Sequence, residues 1–241
     1  MAYKVNILGV QVDSVTMAEA VAQVEDFVRT RAGVIIATAN AEMIMRATHD
    51  EELKNILNEA ALVVPDGDGT VWAARQVGHP IPERLAGYYL AQNINSVAPQ
   101  KGYKFYFCGS SPGVAAKPTA KAAALYPGIQ IVGVRDGYFR PENEAAVVAA
   151  IKEAKPDILL AALGVPKQEK WLARHLAELK VPVAIGVGGT LDVMAGVMKR
   201  APHWMQRVHL EWLFRGMLQP KRIGRLMALP RFVMRVRASK T

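Results

Sequence analysis

Short apolar runs alternate with amphipathic helical patterns over most of the chain. Seven runs of apolar and β-branched residues predict strands, at 5–12, 34–38, 62–64, 104–108, 129–134, 158–163 and 183–187. Strands that alternate with helices of roughly 10–15 residues are typical of a parallel sheet covered on both faces. The pattern therefore predicts an α/β fold of the doubly wound, Rossmann-like kind, with a mostly parallel sheet sandwiched by helices.

Local signals support several of the intervening helices. Thr16 and Glu19 have the spacing of a capping box ahead of an amphipathic stretch, and Asp50 is placed to cap a second helix. Pro141 is suited to open a third. Residues 167–179 keep their large apolar side chains on one stripe, which predicts a fourth helix.

One apolar segment requires a decision between a membrane span and buried structure. Residues 181–198 carry a single charge, Asp192, over a length that a transmembrane helix needs. However, four glycines interrupt the segment, and a carboxylate at its middle would be costly in lipid. A buried strand, a glycine turn and a short helix beginning near Thr190 explain the segment better.

Composition agrees with a folded protein that needs no cross-links. The chain has 241 residues, of which 51% are hydrophobic and 21% charged, and this mixture is globular rather than disordered or fibrous. Cys108 is the one cysteine, which excludes a disulfide framework and a cysteine-rich metal site. The first residues lack the basic and apolar regions of a signal peptide, so we expect a cytosolic protein.

The positive charge is concentrated in the last fifth of the chain. Of the net charge of +9, residues 196–241 supply +10 and residues 1–195 supply −1. We therefore predict a catalytic α/β domain over 1–195 and a basic, amphipathic helical appendage over 196–241. Such a basic segment points to a polyanionic partner: a phosphate compound, a nucleic acid or an anionic membrane surface.

Small, polar or glycine-rich loops follow six of the predicted strands. They are TANAE at 38–42, PDGDGT at 65–70, CGSSPG at 108–113, RDGY at 135–138, GVPKQE at 164–169 and GGTLD at 188–192. In open α/β sheets, ligands bind at the carboxyl ends of the strands, where loop amides suit phosphate and polar side chains suit hydroxyl groups. Together these loops fit a nucleotide or a nucleotide sugar.

Other enzyme classes lack their signatures. The dinucleotide fingerprint, the P-loop and the nucleophile elbow are all missing from the sequence, and the five histidines have no metal-ligand spacing. A nucleotide-dependent oxidoreductase and a nucleic-acid-binding protein nevertheless stay open as alternatives. The second would use the basic tail, although no nucleic-acid-binding module is recognisable in the slightly acidic first 195 residues.

The triplet Asp66-Gly67-Asp68 has two readings. Two carboxylates at a strand end can hold a divalent metal ion on a sugar-nucleotide diphosphate. Alternatively, one acid is a catalytic base and the other, Asp68, caps the helix that follows.

Taken in order, the motifs resemble those of the WecG/TagA/CpsF glycosyltransferases. The resemblance is carried by TANAE at 38–42, PDG at 65–67, RLAG at 84–87, GVPKQE at 164–169, GVGGTLD at 186–192, RAP at 200–202, EWLFR at 211–215 and PKR at 220–222. Within the family, it is closest to the branch that makes the linkage unit of wall teichoic acid. That branch transfers N-acetylmannosamine from a UDP donor to N-acetylglucosamine on undecaprenyl diphosphate, in a β-1,4 linkage. Related branches serve enterobacterial common antigen or capsule, and sequence does not reveal the donor sugar.

The resemblance implies roles for individual residues. Asp66 becomes the general base of an inverting transfer, with Arg84 near the diphosphate. The remaining residues expected to bind substrate or assist catalysis are Thr38, Asn40, Lys167 and Gln168 around the donor, Tyr138 and Asp192 by the nucleoside, and Gly109, Gly188 and Gly189 where backbone approaches the ligand. For Asn40, a role as a turn or cap residue is the alternative. The family is metal-independent, so we expect no cofactor, although Asp68 is an acid that the family pattern does not include.

The resemblance and the charge pattern together give the tail a function. Arg215, Arg222 and Arg225 are expected to reach the leaving or acceptor diphosphate, because a guanidinium group can pair two phosphate oxygens. The apolar and basic sides of the tail suit peripheral binding to the anionic inner face of the cell membrane. We expect no nucleic-acid partner, and a homo-oligomer stays open because sequence does not fix the oligomeric state.

Overall fold

The computed structural model describes residues 3–110, 114, 116–197, 202, 205 and 228–239. Six strands form one parallel sheet in the order β4-β3-β8-β7-β5-β6. Their bounds are β3 Val34–Ala39, β4 Leu62–Pro65, β5 Lys104–Gly109, β6 Gln130–Arg135, β7 Ile158–Ala162 and β8 Val183–Gly186. The predicted α/β fold with a parallel sheet between helices is therefore confirmed, each strand lying within one or two residues of its expected position.

The predicted first strand is wrong as a single element. Two short strands, β1 (Lys4–Ile7) and β2 (Val10–Asp13), form an antiparallel hairpin outside the main sheet. The chain reverses at Leu8 and Gly9, whose φ angles are 52° and 93°. Positive φ at both central residues matches the right-handed twist of a two-residue hairpin, which explains why an apolar run could reverse direction without a longer polar loop.

Nine helices connect and cover the strands within the described residues 3–110, 114 and 116–197. They are α1 Met17–Arg29, α2 Ala41–Ala47, α3 Glu51–Glu59, α4 Asp68–Gln76, α5 Gly87–Lys101, α6 Ala116–Leu125, α7 Glu144–Ala154, α8 Lys167–Leu179 and α9 Thr190–Met194. The Thr16–Glu19 capping box and the Asp50 cap are present as predicted. Pro141 begins a short 3-10 turn that leads into α7.

The core lies on both faces of the sheet. On one face, α1, α5, α6 and α9 cover alternate strand residues such as Ile36 and Phe107. On the other face, the hairpin and α2–α4 cover Ala37 and Val63, while α7 and α8 cover Leu159. Successive residues of a strand point to opposite faces, so a sheet that is buried on both sides has the continuous apolar runs seen in the sequence.

A C-terminal helix, Ala228–Ala238, packs against the second of these faces. Phe232 and Val236 are fully buried among residues of α2, α4 and the hairpin. Arg231, Arg235 and Arg237 remain exposed. The amphipathic pattern of this part of the tail is thus satisfied by the protein core on its apolar side. Most of the predicted appendage lies outside the described residues.

Within the described ranges, no helix combines the length and the apolar character that a membrane crossing requires. The apolar segment 181–198 instead supplies the central strand β8, a turn at Gly188 and the short helix α9, as far as residue 197. This arrangement agrees with the predicted buried strand, glycine turn and short helix.

Candidate active site

Because all six strands of the main sheet are parallel, their carboxyl ends lie along one edge, and most of the predicted site residues follow those ends. Thr38 lies near the end of β3 and is buried. Its hydroxyl donates a 2.8 Å hydrogen bond to the Gly186 carbonyl at the end of β8. Gly87, the first residue of α5, packs so closely on Thr38 that a Cβ there would lie 3.0 Å from the Thr38 methyl carbon. Thr38 therefore fixes three elements at the centre of this edge.

Asn40 has the capping role that the sequence left open. It is the N-cap of α2, and its Oδ1 accepts a 3.0 Å hydrogen bond from the Met43 amide. The side chain also lies next to Gly67, because a Cβ on Gly67 would be 3.9 Å from the Asn40 Cβ. Asn40 thus lies beside the loop that carries Asp66.

Asp66 directly follows β4. Its amide donates a 2.9 Å hydrogen bond to the Ala39 carbonyl, which extends the pairing of β3 and β4 by one residue. The Leu85 amide donates a 2.9 Å bond to the Pro65 carbonyl, so the segment containing Arg84 runs alongside. Two segments that are distant in sequence therefore bring a carboxylate and a guanidinium group to the same strand end.

Asp68 does not cap α4, and this expectation is wrong. The N-cap is Gly67, with φ of 96° and no side-chain cap bond, whereas Asp68 is the first helical residue. An Asp68 carboxylate oxygen lies 3.1 Å from the Arg84 guanidinium nitrogen. In the part of the chain that the structure describes, no three His, Cys, Asp or Glu side chains cluster as metal ligands would. The structure thus shows Asp68 in an ion pair with Arg84.

The ends of β5 and β6 meet through a strained turn. Gly109 has φ of 146°, and a Cβ there would lie 2.5 Å from the Ala162 carbonyl oxygen, so only glycine fits beside β7. Ser110 follows with φ of 69° and donates its hydroxyl hydrogen to the Asp192 carboxylate. Its carbonyl accepts a 3.0 Å hydrogen bond from the Gly137 amide. This turn therefore ties Asp192 to the loop after β6.

Tyr138 and Lys167 lie at the outer part of the same edge. Tyr138 is 71% exposed, which leaves its ring available to a flat partner such as a nucleobase. The Lys167 ammonium group lies 3.4 Å from the Gly137 carbonyl oxygen and 4.9 Å from the centre of the Phe139 ring. An aromatic ring and a cation thus border the turn that holds Asp192.

Gln168 is buried and uses its amide within the protein. Its Oε1 accepts hydrogen bonds from the Gly164 amide at 3.2 Å and the Gly188 amide at 3.1 Å. Gly188 has φ of 54°, and no atom of the described residues lies within 4 Å of where its Cβ would be. Gly189 is the N-cap of α9. Gln168 therefore joins the loops after β7 and β8.

Glu169 is a residue that sequence reasoning missed. It is 1% exposed, and its Oε1 accepts a 2.7 Å hydrogen bond from Gln168 Nε2. Burial raises the pKa of this carboxyl group to about 7. Its place in the GVPKQE motif, next to a glutamine, was the available signal. By contrast, burial raises the pKa of Cys108 to about 12, which argues against a thiolate nucleophile.

The structure therefore brings the described site residues to one sheet edge in two groups. Thr38, Asn40, Asp66 and Arg84 surround the ends of β3 and β4. The second group lies around the ends of β5–β8 and contains Gly109, Tyr138, Lys167, Gln168, Gly188, Gly189 and Asp192. The Thr38–Gly186 hydrogen bond connects the two groups. Arg215, Arg222 and Arg225 lie outside the described residues.

Comparison with known proteins identifies the family of the chain. The profile of the "Glycosyl transferase WecG/TagA/CpsF family" matches residues 5–241. The chain is 34% identical over 239 residues to a protein from Staphylococcus aureus (strain NCTC 8325 / PS 47) named "N-acetylglucosaminyldiphosphoundecaprenol N-acetyl-beta-D-mannosaminyltransferase". The matched region covers 98% of this chain and 93% of that relative. A relative with the same name from strain MRSA252 is 33% identical over the same length.

Proposed function

Because the chain belongs to the WecG/TagA/CpsF glycosyltransferase family, we propose that it transfers N-acetylmannosamine from UDP-N-acetylmannosamine to undecaprenyl-diphosphate-linked N-acetylglucosamine. The product is the β-1,4-linked disaccharide lipid of the wall teichoic acid linkage unit. The names of the Staphylococcus aureus relatives support the acceptor and the transferred sugar. The observation that carries the proposal is the gathering of distant motifs at one sheet edge.

The proposed chemistry is an inverting displacement with Asp66 as general base. As the acceptor hydroxyl oxygen forms a bond to the anomeric carbon of the donor, the bond to the UDP oxygen breaks on the opposite face. Asp66 takes the proton of that hydroxyl. A carboxylate that directly follows β4, beside Asn40, supports this role.

Arg84 is suited to the diphosphate. UDP leaves with additional negative charge, which a guanidinium group stabilises through paired hydrogen bonds. The Asp68 carboxylate, 3.1 Å away, supports this role because it restricts the rotamers of Arg84. We propose that Arg215, Arg222 and Arg225 complete the charge around the two diphosphates. The reaction as proposed uses no metal ion.

The nucleoside is assigned to the ends of β5 and β6. Exposed Tyr138 offers a stacking surface. Asp192 offers a carboxylate to base or ribose groups. Among the described residues, the backbone at Gly188 has room for a ligand beside it. Lys167 supplies positive charge on the same side of the site.

The lipid acceptor requires the protein to reach the membrane. Exposed Arg231, Arg235 and Arg237 on the C-terminal helix support peripheral association with the anionic inner face of the cell membrane. Each basic residue near such a surface contributes about 1 kcal/mol of attraction. The apolar side of this helix is occupied by the core, so the proposed attraction at this helix is electrostatic.

The direct test is an assay of UDP release with the lipid-linked acceptor and a panel of UDP-sugars. We expect turnover with UDP-N-acetylmannosamine and at least tenfold less with the N-acetylglucosamine and N-acetylgalactosamine donors. Preference for another UDP-sugar would move the assignment to a different polysaccharide. In parallel, UDP but neither NAD nor duplex DNA should raise the melting temperature. Stabilisation by NAD or DNA alone would favour the oxidoreductase or nucleic-acid alternative.

A further inference from the structure

The first turn of α8 contains a buried pair of polar side chains beneath the loops of the site. The Gln168 carbonyl oxygen accepts from two backbone amides, Gly164 and Gly188, which belong to the loops after β7 and β8. Since both partners are donors, the orientation of the amide group is determined: Oε1 must face the loops and Nε2 must face away. Gln168 can join the loops only in this orientation.

Glu169 is the acceptor that the other end of this amide requires. Its Oε1 lies 2.7 Å from Gln168 Nε2. Both side chains pass over Gly186, where a Cβ would lie 2.9 Å from Gln168 Nε2 and 3.1 Å from Glu169 Oε1. The carbonyl of this same glycine accepts the Thr38 hydroxyl. The Gln168–Glu169 pair is therefore packed directly on the strand end that connects the two groups of site residues.

The carboxylate is poorly explained as a stabilising group. Glu169 is 1% exposed, and its Oε2 has no hydrogen-bond partner within the described residues. Arg46 on α2, which pairs with Glu42 at 3.5 Å, is the cation whose charge favours the ionised form. Lys170, the residue after Glu169 in sequence, forms ion pairs with Asp50 and Glu52. A buried, half-satisfied carboxylate costs stability, and such costs are characteristic of functional sites.

We propose that Glu169 is a positioning residue for the donor site. It holds the Gln168 amide in the orientation that keeps the Gly164 and Gly188 loops at the spacing that the donor nucleotide requires. Glu169 does not touch the substrate in this proposal, and its effect passes through Gln168. The inference rests on the proposed function, because it assumes that UDP binds at these loops.

Two substitutions separate the hydrogen-bond acceptor from the size of the side chain. Glu169→Gln keeps an oxygen that can accept from Gln168 Nε2, whereas Glu169→Met has similar length and no such oxygen. Because Glu169→Met removes a buried charge, we expect the variant to fold. Its thermal unfolding curve checks this. The matched control is Glu144→Gln on α7. The Glu144 Oε1 lies 2.8 Å from Nε2 of His175, a residue farther along α8 than Glu169.

The measurement is calorimetric titration with UDP, together with kcat and KM for the UDP-sugar donor. We expect Glu169→Met to weaken UDP binding and raise the donor KM by about tenfold, with kcat within about threefold of wild type. Glu169→Gln and Glu144→Gln should stay within about threefold of wild type in both quantities.

Three results would overturn the proposal. UDP binding by Glu169→Met equal to wild type would make Glu169 a core residue without a role in the site. Equal losses in the glutamine and methionine variants would assign the effect to charge rather than to the acceptor. Failure of the wild-type protein to bind UDP would instead refute the proposed function on which the inference rests.

Discussion

The Ser110 hydroxyl donates a hydrogen bond to the Asp192 carboxylate, which joins the end of β5 to the first turn of α9 across 82 residues of sequence. Ser110 adopts a positive φ of 69°, a conformation that serine rarely occupies. The hydrogen bond holds one oxygen of Asp192 against the end of β5.

Substituting Ser110 separates the strain from the contact. Ser110→Ala and Ser110→Gly both lose the hydroxyl group, but glycine adopts the positive φ without a steric cost. We expect both variants to bind UDP several-fold more weakly, and the glycine variant to be about 1 kcal/mol more stable than the alanine variant. Calorimetry with UDP and denaturant unfolding measure the two effects. Equal stability of the two variants would contradict the inferred strain.

The proposed general base is tested by Asp66→Asn. The amide keeps the size of the side chain but cannot take a proton, so kcat should fall by about 10²–10⁴ while UDP binding stays within a few-fold. The control is Asp157→Asn at the opposite end of the sheet, where the carboxylate accepts a bond from the Lys104 amide. Turnover of Asp66→Asn at the wild-type rate would exclude Asp66 as the base.

The Asp68–Arg84 pair leads to a double-mutant cycle. If Asp68 acts only by orienting Arg84, Asp68→Asn should reduce kcat by about threefold to tenfold alone, and have little further effect in an Arg84→Ala background. Wild-type activity should also persist in EDTA. An independent loss in both backgrounds, or activity that EDTA removes and Mg²⁺ or Mn²⁺ restores, would favour the metal site instead.

Glu169 should make folding stability depend on pH. Its folded pKa is about 7 and its ordinary value is 4.5, so between these values the folded protein holds a proton that the unfolded chain releases. Stability therefore falls as pH rises through this interval, by on the order of 3 kcal/mol. We expect the unfolding free energy of Glu169→Gln to rise relative to wild type from pH 5 to pH 8. The control is Glu153→Gln, at an exposed position on α7. Its unfolding free energy should change with pH as that of the wild type does.

The C-terminal helix provides a comparison of a buried and an exposed position. Phe232 is fully buried against α2 and α4, whereas Met234 is 63% exposed. We expect Phe232→Ala to lower the unfolding free energy by about 3–5 kcal/mol and Met234→Ala by less than about 0.5 kcal/mol. Denaturant unfolding of the full chain measures both changes in unfolding free energy. Similar small losses at both positions would mean that this helix is not part of the stable core.

Sequence patterns predicted the elements whose signals are local. The capping box at Thr16, the Asp50 cap and the stripe on α8 each depend on residues within a few positions of one another, and each element formed as expected. Buried parallel strands were equally predictable, because burial on both faces requires continuous apolar runs in the sequence.

Elements that depend on distant contacts were not predictable in the same way. α5 runs from Gly87 to Lys101 with Pro99 inside it and no side-chain cap, so its helical signal is weak and packing determines it. The reversal at Leu8 needed two positive φ angles, and only the second residue is a glycine.

The residues of the candidate site also differ in whether the sequence alone could predict them. The sequence placed Asp66 and most of the other motif residues at strand ends, and their roles stay predictions that rest on the family resemblance. The pairing of Asp68 with Arg84 and the burial of Glu169 could not be predicted, because both depend on partners that the fold supplies. The position of Glu169 between Gln168 and Lys170 gave no local sign that its side chain would be buried, although its motif marked the segment as functional.

The position of β8 has a consequence for synthesis of the chain on the ribosome. β8 is the last strand of the main sheet in sequence, yet it lies in the middle, between β3 and β7. Until residues 183–186 leave the exit tunnel, β3 and β4 have no sheet partner on that side, and β7, β5 and β6 form a separate half. The nascent protein therefore holds two incomplete groups of strands with unpaired edges until β8 emerges, so the sheet closes late.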